Sequence, residues 1–168
     1  KLTGLRNRRA LEPVLDDAVQ SGQPFALLHL DLDWFKAVND GFGHAAGDRV
    51  LQAVAERLTE GTRDNDTQIR VGGDEFLLVL SRPGGRDAIA RLARRLIEAI
   101  ERPVMHDGRE LRVSASIGAC LSDDYDPVDT TRMMRDADAA LYAAKAAGRG
   151  QCVFHDPEPG GAGPADPA

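Results

Sequence analysis

The chain is poor in cysteine and aromatic residues and has no long apolar run, and each shortage excludes a class of protein. Its two cysteines, Cys120 and Cys152, show no CxxC or Cys/His spacing, which argues against a zinc site or a disulfide framework and favours buried free thiols. No apolar run approaches the roughly 18 residues of a membrane span, and the first residues do not resemble a signal peptide. These shortages favour a cytoplasmic domain that makes no membrane contact of its own, without excluding a membrane anchor elsewhere in the parent protein.

An excess of positive charge is also absent. The formal net charge is -6, whereas a surface that binds nucleic acid non-specifically needs a basic face. The sequence therefore predicts no nucleic-acid partner. An acidic chain can still bind a single nucleotide, because two or three well-placed cations and a metal ion suffice.

The remaining composition is that of one globular domain. Apolar residues make up 42% of the chain and charged residues 29%. From Asp156 onward Pro, Gly and Ala dominate, which is typical of a linker rather than of a packed core. We therefore predict a domain over residues 1–155 and a linker or tail over residues 156–168.

Hydrophobic periodicity predicts an α+β fold. Helical spacing covers residues 8–19, 34–40, 48–58, 86–100 and 129–147. Strand-like runs cover residues 25–32, 67–71, 76–80, 111–121 and 151–155, with a hairpin turn at Asp107-Gly108 and a flexible loop through Gly41, Gly43 and Gly47. The pattern predicts a mainly antiparallel, five-stranded sheet flanked by helices, and it leaves the strand order open.

Three acidic residues lie at the ends of apolar strands. Asp31 closes the first strand, and Asp74 and Glu75 belong to a Gly-Gly turn between two others. Any one of them could be a solvated loop residue, as most acids are. Together they form an oxygen-only ligand set that suits Mg²⁺ or Mn²⁺, and paired metals of this kind clamp the oxygens in phosphoryl and nucleotidyl transfer.

Glycines and cations accompany these acids. Gly72 and Gly73 have no Cβ, so a nucleotide could lie against the turn, although an ordinary hairpin would use the same residues. Lys36 follows the first strand, and Lys145 and Arg149 are four residues apart near the end of the last helix. The latter pair could neutralise phosphates, or could simply complement the helix dipole.

Five stretches of the sequence carry a resemblance to one family. Residues 71–76, read as VGGDEF, resemble the signature of the GGDEF family of diguanylate cyclases. The other stretches resemble that family in the same order: Leu2 to Arg9, Asp31 to Asp40 with Gly43-His44 and Gly47-Asp48, Ser116 to Ala119, and Ala137 to Lys145 with Gly148-Arg149. The match covers Leu2 to about Phe154, essentially the whole predicted domain.

The resemblance implies a fold, a reaction and a set of residue roles. The fold is similar to the palm-like core of nucleotide cyclases and polymerases, and two GTP condense to cyclic di-GMP and two pyrophosphates across a homodimer. Mg²⁺ or Mn²⁺, two ions per site, would be held by Asp31, the Leu32 carbonyl, Asp74 and Glu75, of which Asp74 and Glu75 are the catalytic acids. The substrate would be bound by Asn39 and Asp48 at the guanine edge, by Gly72 and Gly73 at the turn, and by Phe35, Lys36, Lys145 and Arg149 at the phosphates.

The family's RxxD product-inhibition motif is also matched. Arg63 and Asp66 would bind a cyclic di-GMP guanine, with Arg94 as the second arginine and Arg91 or Arg95 as substitutes. Residues 63–66 could also be a polar surface turn, but their fixed distance from Gly72 favours the product-inhibition site. Two readings compete with an active cyclase: a non-catalytic GTP or cyclic di-GMP receptor, and a dimerising module that regulates an attached domain.

Overall fold

A computed structural model describes residues 1–157, which form a six-stranded mixed sheet, a separate two-stranded hairpin and five α-helices. The predicted tail covers residues 156–168, and from residue 158 onward it lies outside the described residues. The strands are β1 (Arg6–Asn7), β2 (Phe25–Asp33), β3 (Thr67–Gly72), β4 (Glu75–Ser81), β5 (Val104–His106), β6 (Arg109–Leu111), β7 (Ser114–Leu121) and β8 (Cys152–Phe154). The helices are α1 (Leu11–Gln20), α2 (Phe35–Phe42), α3 (His44–Gly61), α4 (Arg86–Glu101) and α5 (Thr130–Ala146), with 3₁₀ turns at Arg8–Ala10 and Ser122–Asp124.

Strand β2 lies at the centre of the sheet. The strand order is β1-β3-β4-β2-β7-β8, and β2 pairs antiparallel with both β4 and β7. Every residue of β2 is buried, as its continuous apolar run predicts for a strand that is covered on both faces. The two edge pairings, β1 with β3 and β7 with β8, are parallel.

The side chains of β2 alternate between two cores. Leu28 and Leu30 pack on the side of the sheet that α3 and α4 cover. Leu27 packs on the opposite side, against Leu15 of α1 and Met133 of α5. Since successive strand residues face opposite ways, the polar residues His29, Asp31 and Asp33 share the face of Leu27 and lie under α5.

Three details of the predicted fold are wrong. The sheet has six strands rather than five, because Arg6 and Asn7 pair with Ile69 and Arg70 of β3. The predicted return strand over residues 111–121 is two strands, β6 and β7, since β6 pairs with β5 outside the main sheet and the chain must turn to enter it. The remaining helices and strands, and the antiparallel centre, are confirmed.

The third error is the loop through Gly41, Gly43 and Gly47. Residues 35–42 and 44–61 are helices α2 and α3, and Gly43 alone separates them, with a φ of +90°. Gly47 lies in the first turn of α3, where a Cβ would overlap the side chain of Asn39 and approach the Phe35 ring to 3.3 Å. This glycine therefore allows two helices to touch rather than making a loop flexible. Among residues 1–157, no helix combines the length and the apolar character that crossing a membrane requires.

Candidate active site

Polar side chains replace apolar ones toward the end of β2, on the face that α5 covers. Asp31 and Asp33 are 8% and 1% exposed, so their charges require partners. Lys145, in the last turn of α5, donates from Nζ to Asp31 Oδ2, and Arg149 Nη1 lies 3.6 Å from Asp33 Oδ1. The end of β2 thus pairs its two acids with one base in the last turn of α5 and one just after that helix.

Asp33 has further hydrogen-bond donors that fix its position. Ser116 Oγ, on the neighbouring strand β7, donates to both carboxylate oxygens at 2.9 and 3.0 Å. The Gly150 N–H donates to Oδ2 at 3.1 Å. Asp33 therefore anchors the segment that follows α5, and with it the Arg149 side chain, to the end of β2.

The hairpin turn between β3 and β4 brings two more acids to this end of β2. Glu75 is the direct strand partner of Asp31, and the Leu32 N–H donates to the Asp74 carbonyl at 3.1 Å. Gly73 has a φ of +44°, which favours glycine, and no atom lies within 4 Å of a Cβ built on Gly72 or Gly73. The turn therefore presents an open backbone surface next to the acids.

The carboxyl group of Asp74 has an unusual environment. Partial burial, and next the negative charge of Asp31, raise its pKa to about 6. Two carboxylates that repel each other in this way are stabilised when a cation lies between them. Perturbed pKa values of this origin are a feature of functional sites.

The acids present are chemically suited to a hard divalent cation. Oδ1 of Asp31 is buried and has no hydrogen-bond partner among the described residues, so it is available as a ligand. The third predicted acid also lies near a histidine, since Glu75 Oε1 is 3.8 Å from His29 Nε2. Over residues 1–157, no group of three or more Asp, Glu, His or Cys side chains converges as a metal cluster. The fit to Mg²⁺ thus rests on Asp31 and Asp74.

The predicted nucleotide-binding residues surround the same strand end. Helix α2 begins at Phe35, and its N-cap residue Trp34 supplies no side-chain hydrogen bond, which leaves first-turn N–H groups for a ligand. Lys36 is exposed in this turn. The side chain of Asn39 lies against Gly47, one residue before the exposed Asp48. The structure therefore brings Asn39 close to the helix turn that carries Asp48.

The RxxD residues lie elsewhere, around a surface pocket of about 350 Å³. Asp66 is buried, and its carboxylate accepts from the N–H groups of Arg63 at 2.9 Å and Ser81 at 3.0 Å. Arg91 and Arg95 of α4 line this pocket together with Arg63 and Asp66. Arg94 lines a different cavity, with Glu98 and Cys152, so of the three predicted arginines Arg91 and Arg95 are those that lie beside Arg63.

Several residues of the site were not predicted individually from the sequence. The family motifs include Asp33 and Ser116 but indicate no role for either side chain. Nor does the sequence indicate the contact between His29 and Asp138, in which His29 Nδ1 lies 3.2 Å from Asp138 Oδ1. The alternation of His29, Asp31 and Asp33 at every second position is the signal that could have found the strand residues.

Comparison with known proteins agrees with this geometry. A family model described as "Diguanylate cyclase, GGDEF domain" matches residues 1–151. The chain belongs to the GGDEF domain family. The GGDEF domain is 45% identical over 160 residues to the bifunctional diguanylate cyclase/cyclic di-GMP phosphodiesterase MucR of Pseudomonas aeruginosa, a match that covers 91% of this chain and 23% of that protein.

Solved structures show the same fold. The GGDEF domain of PA1120 (TpbB or YfiN) from Pseudomonas aeruginosa superposes with a TM-score of 0.87 at 34% identity, covering 93% of each chain. The GGDEF domain of DgcB from Caulobacter crescentus, in complex with c-di-GMP, superposes with a TM-score of 0.83 at 27% identity, covering 92% of this chain and 94% of that one. The described GGDEF domain spans about a quarter or less of the curated relatives it matches, 23% for MucR.

Proposed function

We propose that this GGDEF domain is a diguanylate cyclase, which condenses two GTP into cyclic di-GMP with release of two pyrophosphates. The observation that carries the proposal is the pairing of Lys145 with Asp31 and of Arg149 with Asp33 beside the Asp74 turn. This arrangement gathers acids for a metal and cations for phosphates at one end of β2. The match to the family model supports the reaction.

The cations are poised to change partners when a triphosphate arrives. Lys145 and Arg149 each contact a carboxylate, and their side chains remain 32% and 42% exposed. Phosphate oxygens at the start of α2 could therefore replace or share these carboxylates, aided by the first-turn N–H groups of Phe35 and Lys36. The β- and γ-phosphates would be held in this way.

The acids would then serve the reacting groups. Asp31 and Asp74, with the Leu32 carbonyl, would hold Mg²⁺ or Mn²⁺, which when bound supplies positive charge to the phosphate oxygens. The 3′-oxygen of one GTP forms a bond to the α-phosphorus of the other, while the bond to pyrophosphate breaks. Asp74 or Glu75 would accept the proton of that 3′-hydroxyl.

Two further features of the proposed reaction are its preference for guanine over adenine and its need for two chains. The amide of Asn39 and the carboxylate of Asp48 would pair with the guanine edge, since a carboxylate accepts from the guanine N1–H and exocyclic amine, a donor pair that adenine lacks. One chain binds one GTP, so the two reacting nucleotides would come from two chains facing each other across a two-fold axis.

A turnover assay with matched charge variants tests this proposal. The wild-type protein is incubated with GTP and Mg²⁺, and cyclic di-GMP is measured by chromatography. We expect product from the wild type, none from Asp74→Ala, and wild-type levels from Asp16→Ala, which removes an exposed acid of α1. Full activity of Asp74→Ala would overturn the metal assignment.

Product feedback through the RxxD pocket is a second part of the proposal. Arg63, Arg91 and Arg95 give the pocket a concentration of positive charge that suits a cyclic dinucleotide. The complex of the DgcB GGDEF domain with c-di-GMP supports binding of this ligand within the fold. We expect Arg63→Ala and Arg91→Ala to relieve product inhibition and Arg94→Ala to leave it unchanged. Equal inhibition of all three variants would contradict the assignment.

The alternative is a non-catalytic module that binds GTP or cyclic di-GMP and regulates an attached domain. The observation that favours it is the separation of the RxxD pocket from the acids of β2, since this pocket could act as a receptor without turnover. Calorimetry separates the two functions. Binding of cyclic di-GMP and GTP without any product at high protein concentration would establish the module.

A further inference from the structure

Trp34 is an unexpected residue at the junction between β2 and α2. Its φ is +70°, a left-handed conformation that a bulky side chain adopts only at a cost in free energy that glycine would avoid. Its side chain contributes little to the core, because the residue is 63% exposed. Neither the backbone nor the packing therefore explains a tryptophan here.

The contact that the ring makes is with Arg149. The guanidinium carbon of Arg149 lies 5.4 Å from the centroid of the Trp34 ring, within the range of a cation–π interaction. Arg149 also has a left-handed backbone, with a φ of +67°. Two non-glycine residues in this conformation thus meet through their side chains, and strain of this kind concentrates at functional sites.

The guanidinium is held on two sides and open on the others. The indole covers its face, and the buried carboxylate of Asp33 lies 3.6 Å from Nη1. Asp33 already accepts from Ser116 Oγ and the Gly150 N–H, so it is shared among several donors. Because arginine carries five N–H donors in a planar fork, some remain for an incoming anion.

We propose that Trp34 is a positioning residue, whose indole holds the Arg149 guanidinium beside the N-terminus of α2, where the terminal phosphates of a nucleoside triphosphate bind. The inference rests on the proposed GTP site. It adds that triphosphate affinity depends on an aromatic ring at position 34, whereas affinity for the guanine and the α-phosphate does not. The ring acts through Arg149 alone.

Equilibrium binding tests the role without turnover. The probes are 3′-deoxy-GTP, which has no attacking hydroxyl, and GMP, which has no pyrophosphate to lose, each titrated calorimetrically with Mg²⁺ present. Trp34→Asn removes the ring and keeps a residue that tolerates a left-handed backbone, and Trp34→Phe keeps a ring. Thermal melts check that both variants fold.

We expect Trp34→Asn to weaken 3′-deoxy-GTP binding by about three- to tenfold, the range of a partly exposed cation–π contact, and to leave GMP binding unchanged. Trp34→Phe should retain most of the affinity. In an Arg149→Ala background, Trp34→Asn should have no further effect, as expected for two coupled residues.

Unchanged 3′-deoxy-GTP binding by Trp34→Asn would overturn the inference and leave the proposed function intact. The inference would also be overturned if Trp34→Asn weakened GMP binding as much as 3′-deoxy-GTP binding, or if it weakened 3′-deoxy-GTP binding just as much in the Arg149→Ala background. The ring would then act on the fold or on the guanine and not through Arg149. Failure of the wild-type protein to bind 3′-deoxy-GTP would overturn the GTP site itself.

Discussion

Gly118 offers the sharpest test of how the sheet positions the candidate site. It lies in β7, opposite His29, and a Cβ at this position would overlap the Ala137 carbonyl oxygen and the Leu141 nitrogen of α5 and would lie 2.8 Å from the Ala140 carbonyl carbon. These atoms are backbone, so no rotamer change can relieve the overlap. Gly118→Ala must therefore push α5 away from the sheet, at a cost of about 1–3 kcal/mol for overpacking.

The displacement has a functional consequence, because α5 carries Lys145 one turn beyond Leu141. We expect Gly118→Ala to lower the free energy of unfolding in urea by about 1–3 kcal/mol and to weaken GTP binding in parallel. Gly41→Ala is the control: Gly41 is a helical glycine with no atom within 4 Å of its added Cβ, and this change should stabilise by up to about 1 kcal/mol. Wild-type stability of Gly118→Ala would refute the close packing of α5.

Three further perturbations follow from the site and its surroundings. Asp31→Asn removes the neighbouring charge that helps to raise the Asp74 pKa, so the pKa of Asp74 should fall from about 6 but stay above 3.8, because its burial remains. A carboxyl NMR titration of the metal-free protein measures this pKa, and an unchanged value would contradict the coupling. Burial raises the pKa of Cys120 to about 12, so at pH 8 iodoacetamide should leave this thiol unmodified in native protein and modify it in denaturant; rapid native labelling would be inconsistent with that burial. Asp66→Ala leaves two backbone donors unpaired and should cost about 2 kcal/mol of stability, whereas Arg91→Ala should cost almost none, a difference that chemical denaturation resolves.

Hydrophobic periodicity was sufficient to predict the helices and strands in which buried and exposed residues follow a regular pattern. The continuous apolar run of β2 and the amphipathic spacing of α4 gave boundaries within one residue of those observed, because core packing enforces the same pattern that the sequence shows. The prediction of a flexible loop was wrong at Gly47, because this glycine allows α2 and α3 to pack closely. It also missed β1, since two exposed residues, Arg6 and Asn7, carry no alternation.

The candidate site was predictable in residue type but less so in orientation. A strand ending in acids indicated the location of Asp31, yet no sequence pattern shows that Glu75 Oε1 lies 3.8 Å from His29 Nε2. The choice among Arg91, Arg94 and Arg95 depended on the rotation of α4, which packing against the sheet determines. The Trp34–Arg149 contact joins residues that are distant in sequence, so it required the fold.

The most direct test of the central claim is the rate of cyclic di-GMP formation from GTP and Mg²⁺ as the concentration of the protein is raised. If each chain contributes half of a two-chain site, the rate per chain rises with protein concentration and then levels off as the dimer fills. Absence of cyclic di-GMP at every concentration, while calorimetry still shows GTP bound, would contradict the cyclase.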